Sequence, residues 1–85
     1  MDKKATVTVA SLTLKYRLHK EPSLLGQEYS IYCMCYDDNG ELIDAECVNA
    51  ISADYERAQN IFDKIVLHRV TPCTLKDVII DLLCQ

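Results

Sequence analysis

The sequence predicts an α+β fold in which a three-stranded antiparallel β-meander is followed by two α-helices packed on one face. Three observations support this prediction. Residues 52–70 carry apolar side chains at spacings of three and four, as in an amphipathic helix. The residues before them alternate between apolar and polar, as in half-buried strands, around the turn sequence Asp37-Asp38-Asn39-Gly40. A second apolar stripe follows Pro72.

The composition limits the class of protein. The chain has 85 residues, of which 49% are hydrophobic and 26% charged, as expected for one globular domain. Its net charge is −4 and its basic residues are scattered along the sequence, so we expect no direct binding to nucleic acid and none to a membrane. The alternating residues near the start do not resemble a signal peptide, and the five cysteines lack disulfide-like spacing. Both observations predict a cytoplasmic protein.

The first predicted strand covers residues 5–18, and its pattern changes phase. Its apolar residues fall on odd positions up to Val9 and on even positions from Leu12 onward. A bulge near residues 10–11 would bring both sets to one face. Alternatively, residues 1–10 form a loose N-terminal arm.

The connection that follows is expected over residues 19–27, where Pro22 and Gly26 interrupt the strand pattern. Leu24 and Leu25 within it are expected to pack against the end of the sheet. The second and third strands come next, on either side of the Asp37–Gly40 turn.

These two strands, residues 29–36 and 42–51, can pair in two registers that differ in loop length. A two-residue loop places Cys47 opposite Tyr32, whereas a three-residue loop with a bulged Gly40 places Cys47 opposite Ile31. We favour the three-residue loop, because it leaves small side chains beneath a helix and tyrosine hydroxyls near water. In that register the outer face gathers aromatic, thioether and acidic side chains: Tyr32, Met34, Tyr36, Asp44 and Glu46.

The first helix is expected over residues 52–70, with Ser52 as its N-cap and Pro72 shortly after its end. Its apolar stripe consists of Tyr55, Ala58, Ile61, Phe62, Ile65 and Arg69. The second helix runs to the C-terminus, and either Thr71 or Thr74 is its cap. Its apolar face consists of Leu75, Val78, Ile79, Leu82 and Leu83.

The outward-facing set, Tyr32, Met34, Tyr36, Asp44 and Glu46, is the candidate interaction surface. Tyrosine and methionine are enriched at interface cores, and an uncovered sheet face is a natural docking surface. The alternative is that Tyr16 or the N-terminal arm covers these residues within one molecule. Unpaired edge strands and the second helix make a homodimer a further option.

Three cysteines form the other candidate site. Cys33 and Cys35 share one face of a strand, and Cys47 is predicted to lie across the hairpin from them. Three thiolates and a histidine could bind zinc, but structural zinc sites usually contain a CxxC pair, and neither His19 nor His68 has suitable spacing. Core packing is therefore favoured over a metal site.

The motifs of common enzyme classes are missing from the sequence. It contains no nucleophile elbow, phosphate-binding glycine loop or zincin helix, and it has only two glycines. We therefore expect no catalytic activity and no cofactor. The expected function is protein–protein interaction, with an unknown partner. The alternatives are a thiol or metal sensor using Cys33, Cys35 and Cys47, and a small acidic inhibitor of a nucleic-acid-handling complex.

Three further segments form a recognisable pattern: residues 70–81, Tyr29-x-Ile31 and Val48-x-x-Ile51-Ser52. In this pattern the chain resembles small uncharacterised proteins of clostridia-like Gram-positive bacteria, a family of unknown function. The resemblance covers roughly residues 12–83. Where the family pattern has a histidine two residues after the proline, this chain has Thr74, so no role of that histidine carries over. The resemblance implies the meander with two helices and implies no activity.

Overall fold

The computed structural model describes residues 2–23 and 26–84. The elements in chain order are β1 (Lys3–Val9), β2 (Leu12–Ser23), β3 (Gly26–Tyr36), β4 (Leu42–Ser52), α1 (Tyr55–Leu67) and α2 (Pro72–Leu83). All strand pairs are antiparallel, and the sheet order β1-β2-β3-β4 follows the chain. The α+β class and the antiparallel sheet followed by two helices are confirmed. The predicted number of strands is wrong, because the described residues form a sheet of four.

The additional strand is β1, which pairs with β2 from Lys3 opposite Leu18 to Val9 opposite Leu12. The chain reverses at Ala10, which has a φ of 54°. The change of phase in the sequence therefore marks a hairpin and not a bulge or a loose arm. Cross-strand partners share a face, so the odd positions of β1 and the even positions of β2 lie on the same side of the sheet.

Strands β2 and β3 extend into the connection predicted over residues 19–27. β2 continues to Ser23, and β3 begins at Gly26, whose φ of 121° favours glycine. Leu24 and Leu25, which were expected to pack against the end of the sheet, lie outside the described residues.

The loop between β3 and β4 is the predicted three-residue loop. The Asp37 N–H donates to the Glu41 carbonyl at 2.9 Å and closes the loop around residues 38–40. Gly40 has a φ of 80°, as expected for a bulged glycine at this position.

A second irregularity follows this loop and changes the register. Tyr36 pairs with Leu42, but Cys35 pairs with Asp44, so Ile43 is an extra residue in β4. An extra residue in one strand is a β-bulge, and it moves every following side chain of that strand to the opposite face. The favoured register is therefore wrong beyond Ile43, and the pairing there is that of the alternative.

Helix α1 is shorter than predicted, and its N-cap is Asp54, not Ser52. The Asp54 carboxylate accepts a hydrogen bond from the Glu56 N–H at 3.1 Å, whereas the Ser52 hydroxyl accepts one from the Asp54 N–H at 3.0 Å. The buried residues of α1 belong to the predicted stripe: Ala58, Ile61, Phe62 and Ile65. Arg69, also predicted in that stripe, is exposed and lies beyond the end of the helix.

Helix α2 begins at Pro72 with Thr71 as its N-cap, which decides between the two predicted caps. Its predicted apolar face is confirmed, since Leu75 and Ile79 are buried and the other three members are partly buried against the core. Within residues 2–23 and 26–84, neither helix has the length and apolar composition that crossing a bilayer requires.

The core lies between the two helices and one face of the sheet, which we call the inner face. Tyr16 is the largest fully buried side chain, and its hydroxyl donates to the Val70 carbonyl at 2.7 Å. The Cys33 thiol lies 3.6 Å from the same carbonyl oxygen. Val70 stands between α1 and α2, so this contact links the middle of the sheet to the junction of both helices.

We expect Tyr16→Phe to lower the free energy of unfolding by about 1–2 kcal/mol, because it removes the main donor from a buried carbonyl. Urea denaturation followed by circular dichroism would measure the change. Tyr55→Phe is the matched control, since the Tyr55 hydroxyl has no hydrogen-bond partner among the described residues. Equal stability of the two variants would contradict the proposed role of the Tyr16 hydroxyl.

Arg69 ends α1 in a left-handed conformation. Its φ is 51°, its N–H donates to the Val66 carbonyl, and the Val70 N–H donates to the Ile65 carbonyl, both at 3.1 Å. These two bonds define a Schellman motif, in which glycine is the preferred residue at the left-handed position.

Arg69→Gly should therefore raise the free energy of unfolding by about 0.5–1 kcal/mol, because glycine avoids the steric cost of a positive φ. Thermal unfolding would show a higher midpoint. Lys64→Gly, in the last turn of the same helix, is the control and should destabilise the protein by about 1 kcal/mol. A lower midpoint for Arg69→Gly would show that the arginine side chain matters more than the backbone strain.

Candidate functional site

The face of the sheet opposite the helices, which we call the outer face, is left uncovered by residues 2–23 and 26–84. On β3 the inner residues are Ile31, Cys33 and Cys35, all buried. The alternating residues Tyr32, Met34 and Tyr36 therefore point to the outer face, where they are partly exposed. We call these three residues the outer stripe.

Neither of the elements expected as a cover lies over the outer stripe. Tyr16 is 1% exposed and belongs to the inner core. The N-terminal segment is β1, which extends the sheet sideways beyond β2. Tyr16 and the N-terminal segment therefore do not cover the outer stripe.

The bulge at Ile43 removes two predicted members from this surface. Asp44 pairs with Cys35 and Glu46 pairs with Cys33, so both acidic residues lie on the inner side of β4. The placement of Asp44 and Glu46 beside the outer stripe was therefore wrong. Ala45 and Cys47 take their place, opposite Met34 and Tyr32 respectively.

Asp44 and Glu46 instead bond the backbone of the edge strand β4. The Asp44 carboxylate accepts from the Ala45 N–H at 2.9 Å, and the Glu46 carboxylate accepts from the Cys47 N–H at 3.0 Å. Edge strands with free backbone donors invite pairing with other chains, and charged side chains discourage it. These two carboxylates therefore disfavour strand addition at this edge.

A row of polar side chains crosses the outer face next to the stripe. The Asp2 carboxylate lies 2.9 Å from Arg17 Nη2 and 2.9 Å from His19 Nδ1. The hydrogen bond from Arg17 lowers the pKa of Asp2 to about 2. His19 Nδ1 also lies 3.0 Å from Arg17 Nη2, but it cannot accept from Arg17 while it donates to Asp2. The Asp2 carboxylate can only accept hydrogen bonds, so it is the acceptor for both Arg17 Nη2 and His19 Nδ1.

The same row reaches the outer stripe through Glu21. The Tyr32 hydroxyl donates to Glu21 Oε1, and this hydrogen bond raises the pKa of Tyr32 well above its usual value. His19 Nε2 lies 4.0 Å from the same oxygen. Sequence reasoning missed this row, although the alternation of polar residues along β2 from Lys15 to Glu21 is its signal.

The three strand cysteines are not brought together. Cys33 and Cys35 are buried on the inner face, whereas Cys47 lies on the outer face opposite Tyr32. Burial raises the pKa of Cys33 to about 12 and also raises that of Cys47, so both thiols keep their protons at neutral pH. Among the described residues, no three histidine, cysteine or acidic side chains are grouped to hold a metal ion.

The fold and this face define a class: small α+β proteins with a four-stranded antiparallel meander covered by two helices on one side only. The chain belongs to the family of unknown function DUF6514, whose model matches residues 1–85. No curated protein and no solved structure shows significant similarity to it.

The raised pKa of Cys33 predicts a loss of stability at alkaline pH. Between pH 9 and about 12 the unfolded chain releases the thiol proton and the folded chain retains it. The free energy of unfolding therefore falls as pH rises through this window, by up to about 1.4 kcal/mol per pH unit for this group. Tyr16, whose pKa burial also raises, acts in the same direction.

Cys33→Ala should flatten this dependence, whereas Cys84→Ala, at an exposed position after α2, should keep the wild-type slope. Urea denaturation at several pH values from 8 to 12 would compare the slopes. Identical slopes for the two variants would show that Cys33 does not retain its proton in the folded state.

Proposed function

We propose that the chain is a non-enzymatic protein–protein interaction domain that binds its partner through the outer stripe. The observation that supports this proposal is the one-sided packing of the sheet. Both helices lie on the inner face, and the described residues leave Tyr32, Met34 and Tyr36 partly exposed on the other. Ala45 and Cys47 border the stripe in place of the acidic residues.

The chemistry of the stripe suits this role. Tyrosine offers a large apolar ring with a polar end, and methionine adapts its shape to a partner surface. The Tyr36 hydroxyl lies 3.5 Å from Met34 Sδ, and Lys15 Nζ lies 5.1 Å from the centre of the Tyr36 ring. These contacts hold the side chains in place, so a partner meets a surface that is already partly ordered.

Affinity capture with the double variant Tyr32→Ser/Tyr36→Ser tests this proposal. The wild-type protein, the double variant and Leu67→Ser would be immobilised and exposed to cell extract that contains a differently tagged copy of the chain. Leu67 is 70% exposed at the end of α1 and is the control for losing an apolar surface group.

We expect a partner, which can be the second copy, to be retained by the wild type and by Leu67→Ser and lost by the double variant. Circular dichroism would establish that all three proteins are folded. Equal retention by a folded double variant would exclude the outer stripe as the binding surface.

A further inference from the structure

The outer face carries two like-charge pairs of opposite sign, one near the middle of β2 and one four residues further along it. Lys4 lies directly opposite Arg17 across β1 and β2, and Glu21 lies directly opposite Glu28 across β2 and β3. Like charges that face each other across a sheet repel. The chain therefore places an unfavourable positive pair and an unfavourable negative pair on the same uncovered face.

The positive end is only partly neutralised within the molecule. Lys15 lies on the same face, two residues along β2 from Arg17. Asp2 contacts Arg17, but neither Lys4 nor Lys15 has a carboxylate within 4.0 Å among the described residues. A shallow cleft of about 380 Å³ opens between these three cations, Thr6 and Met34. We call this region the basic end.

The acidic pair also lines a cleft on the outer face. Glu21 and Glu28 line a second cleft, of about 240 Å³, together with Ser30 and Asn49. The Glu21 carboxylate accepts from the Tyr32 hydroxyl and has His19 nearby, whereas Glu28 has no ion-pair partner among the described residues. We call this region the acidic end.

On the basis of the proposed function, we infer that the partner of the outer face is a second copy of this chain, bound face to face about a two-fold axis. An axis perpendicular to the strands near His19 reverses the strand direction of the second copy. Arg17 and Glu21 are equally far from His19 along β2, so Arg17 of each molecule then faces Glu21 of the other, with Lys4 on one side of this contact and Glu28 on the other. Ser30, opposite His19, is 2% exposed, and Tyr32 of the outer stripe lies two residues along β3 from it.

The dimensions of the molecule permit such a dimer. Its longest extent is 40 Å, and a twelve-residue strand such as β2 spans about 40 Å, so the strands run along the long axis. Four strands about 4.8 Å apart then present a flat area of roughly 700 Å², which is comparable with the roughly 800 Å² per partner of a standard interface. Two sheets packed in this way form a sandwich with the helices outside, which is a common arrangement of antiparallel sheets.

Charge reversal at each end tests the inference. We expect the wild type to dimerise in analytical ultracentrifugation and its self-association to weaken with added salt. Lys4→Glu/Lys15→Glu gives a copy with two acidic ends, and Glu21→Lys/Glu28→Lys gives a copy with two basic ends. Each variant alone should self-associate at least tenfold more weakly than wild type, because like charges then meet at both ends.

An equimolar mixture of the two variants should recover dimerisation, because the acidic ends of one then meet the basic ends of the other. Lys64→Glu/Lys76→Glu, which reverses two exposed cations on the helices, is the control and should dimerise as the wild type does. If a reversal variant does not fold, Lys4→Gln/Lys15→Gln and Glu21→Gln/Glu28→Gln replace the two reversal variants. A mixed dimer of these variants keeps one contact between a basic end and an acidic end, whereas a dimer of either variant alone keeps none.

Three results would overturn the inference. They are a wild type that stays monomeric, reversal variants that dimerise like the control, and a mixture that does not recover association. A monomeric wild type that retains another protein in the capture experiment, and loses it in both Tyr32→Ser/Tyr36→Ser and Lys4→Glu/Lys15→Glu, would assign the face to an acidic protein partner. That outcome would contradict the dimer and support the proposed function. If folded Tyr32→Ser/Tyr36→Ser still retained the partner protein, the proposed function itself would be contradicted.

Discussion

The hydrogen bond from Tyr16 to the Val70 carbonyl is the contact on which the arrangement of sheet and helices depends. Tyr16 is 1% exposed, and a buried hydroxyl needs a partner. Val70 lies beyond the C-cap of α1 and before the start of α2, and the left-handed Arg69 turns the chain so that the Val70 carbonyl meets the Tyr16 hydroxyl. One polar contact therefore fixes the junction of α1 and α2 over the middle of β2.

This junction determines which side of the sheet is left open. Because α1 and α2 meet over Tyr16 and Cys33, both helices cover the inner face, and the chain between residues 2 and 84 has no further element for the outer face within the described ranges. The outer stripe and the polar row from Asp2 to Glu21 are arranged on that side. The position of the proposed binding surface thus follows from a contact in the core.

The sequence predicted those elements whose local signals agree with the fold. The stripe of α1, the face of α2 and the three-residue loop at Gly40 all have spacing or residue types that few other structures satisfy. The β1–β2 hairpin was missed because its turn contains Ala10 at a positive φ, where glycine, asparagine or aspartate usually provides the signal. The bulge at Ile43 has no local signal either, and it alone moved Asp44 and Glu46 to the other face.

The charge distribution shows why composition was a poor guide to the surface. A net charge of −4 with scattered basic residues predicts no basic region, and along the sequence that description is correct. The hairpin at Ala10 nevertheless brings Lys4 opposite Arg17, and the β2–β3 pairing brings Glu21 opposite Glu28. Folding has separated the charges on one face into two ends, and a face with two opposite ends is complementary to itself when it is turned around. The like-charge pairs that make an uncovered outer face unfavourable are therefore the same residues that would bind a second copy of the chain.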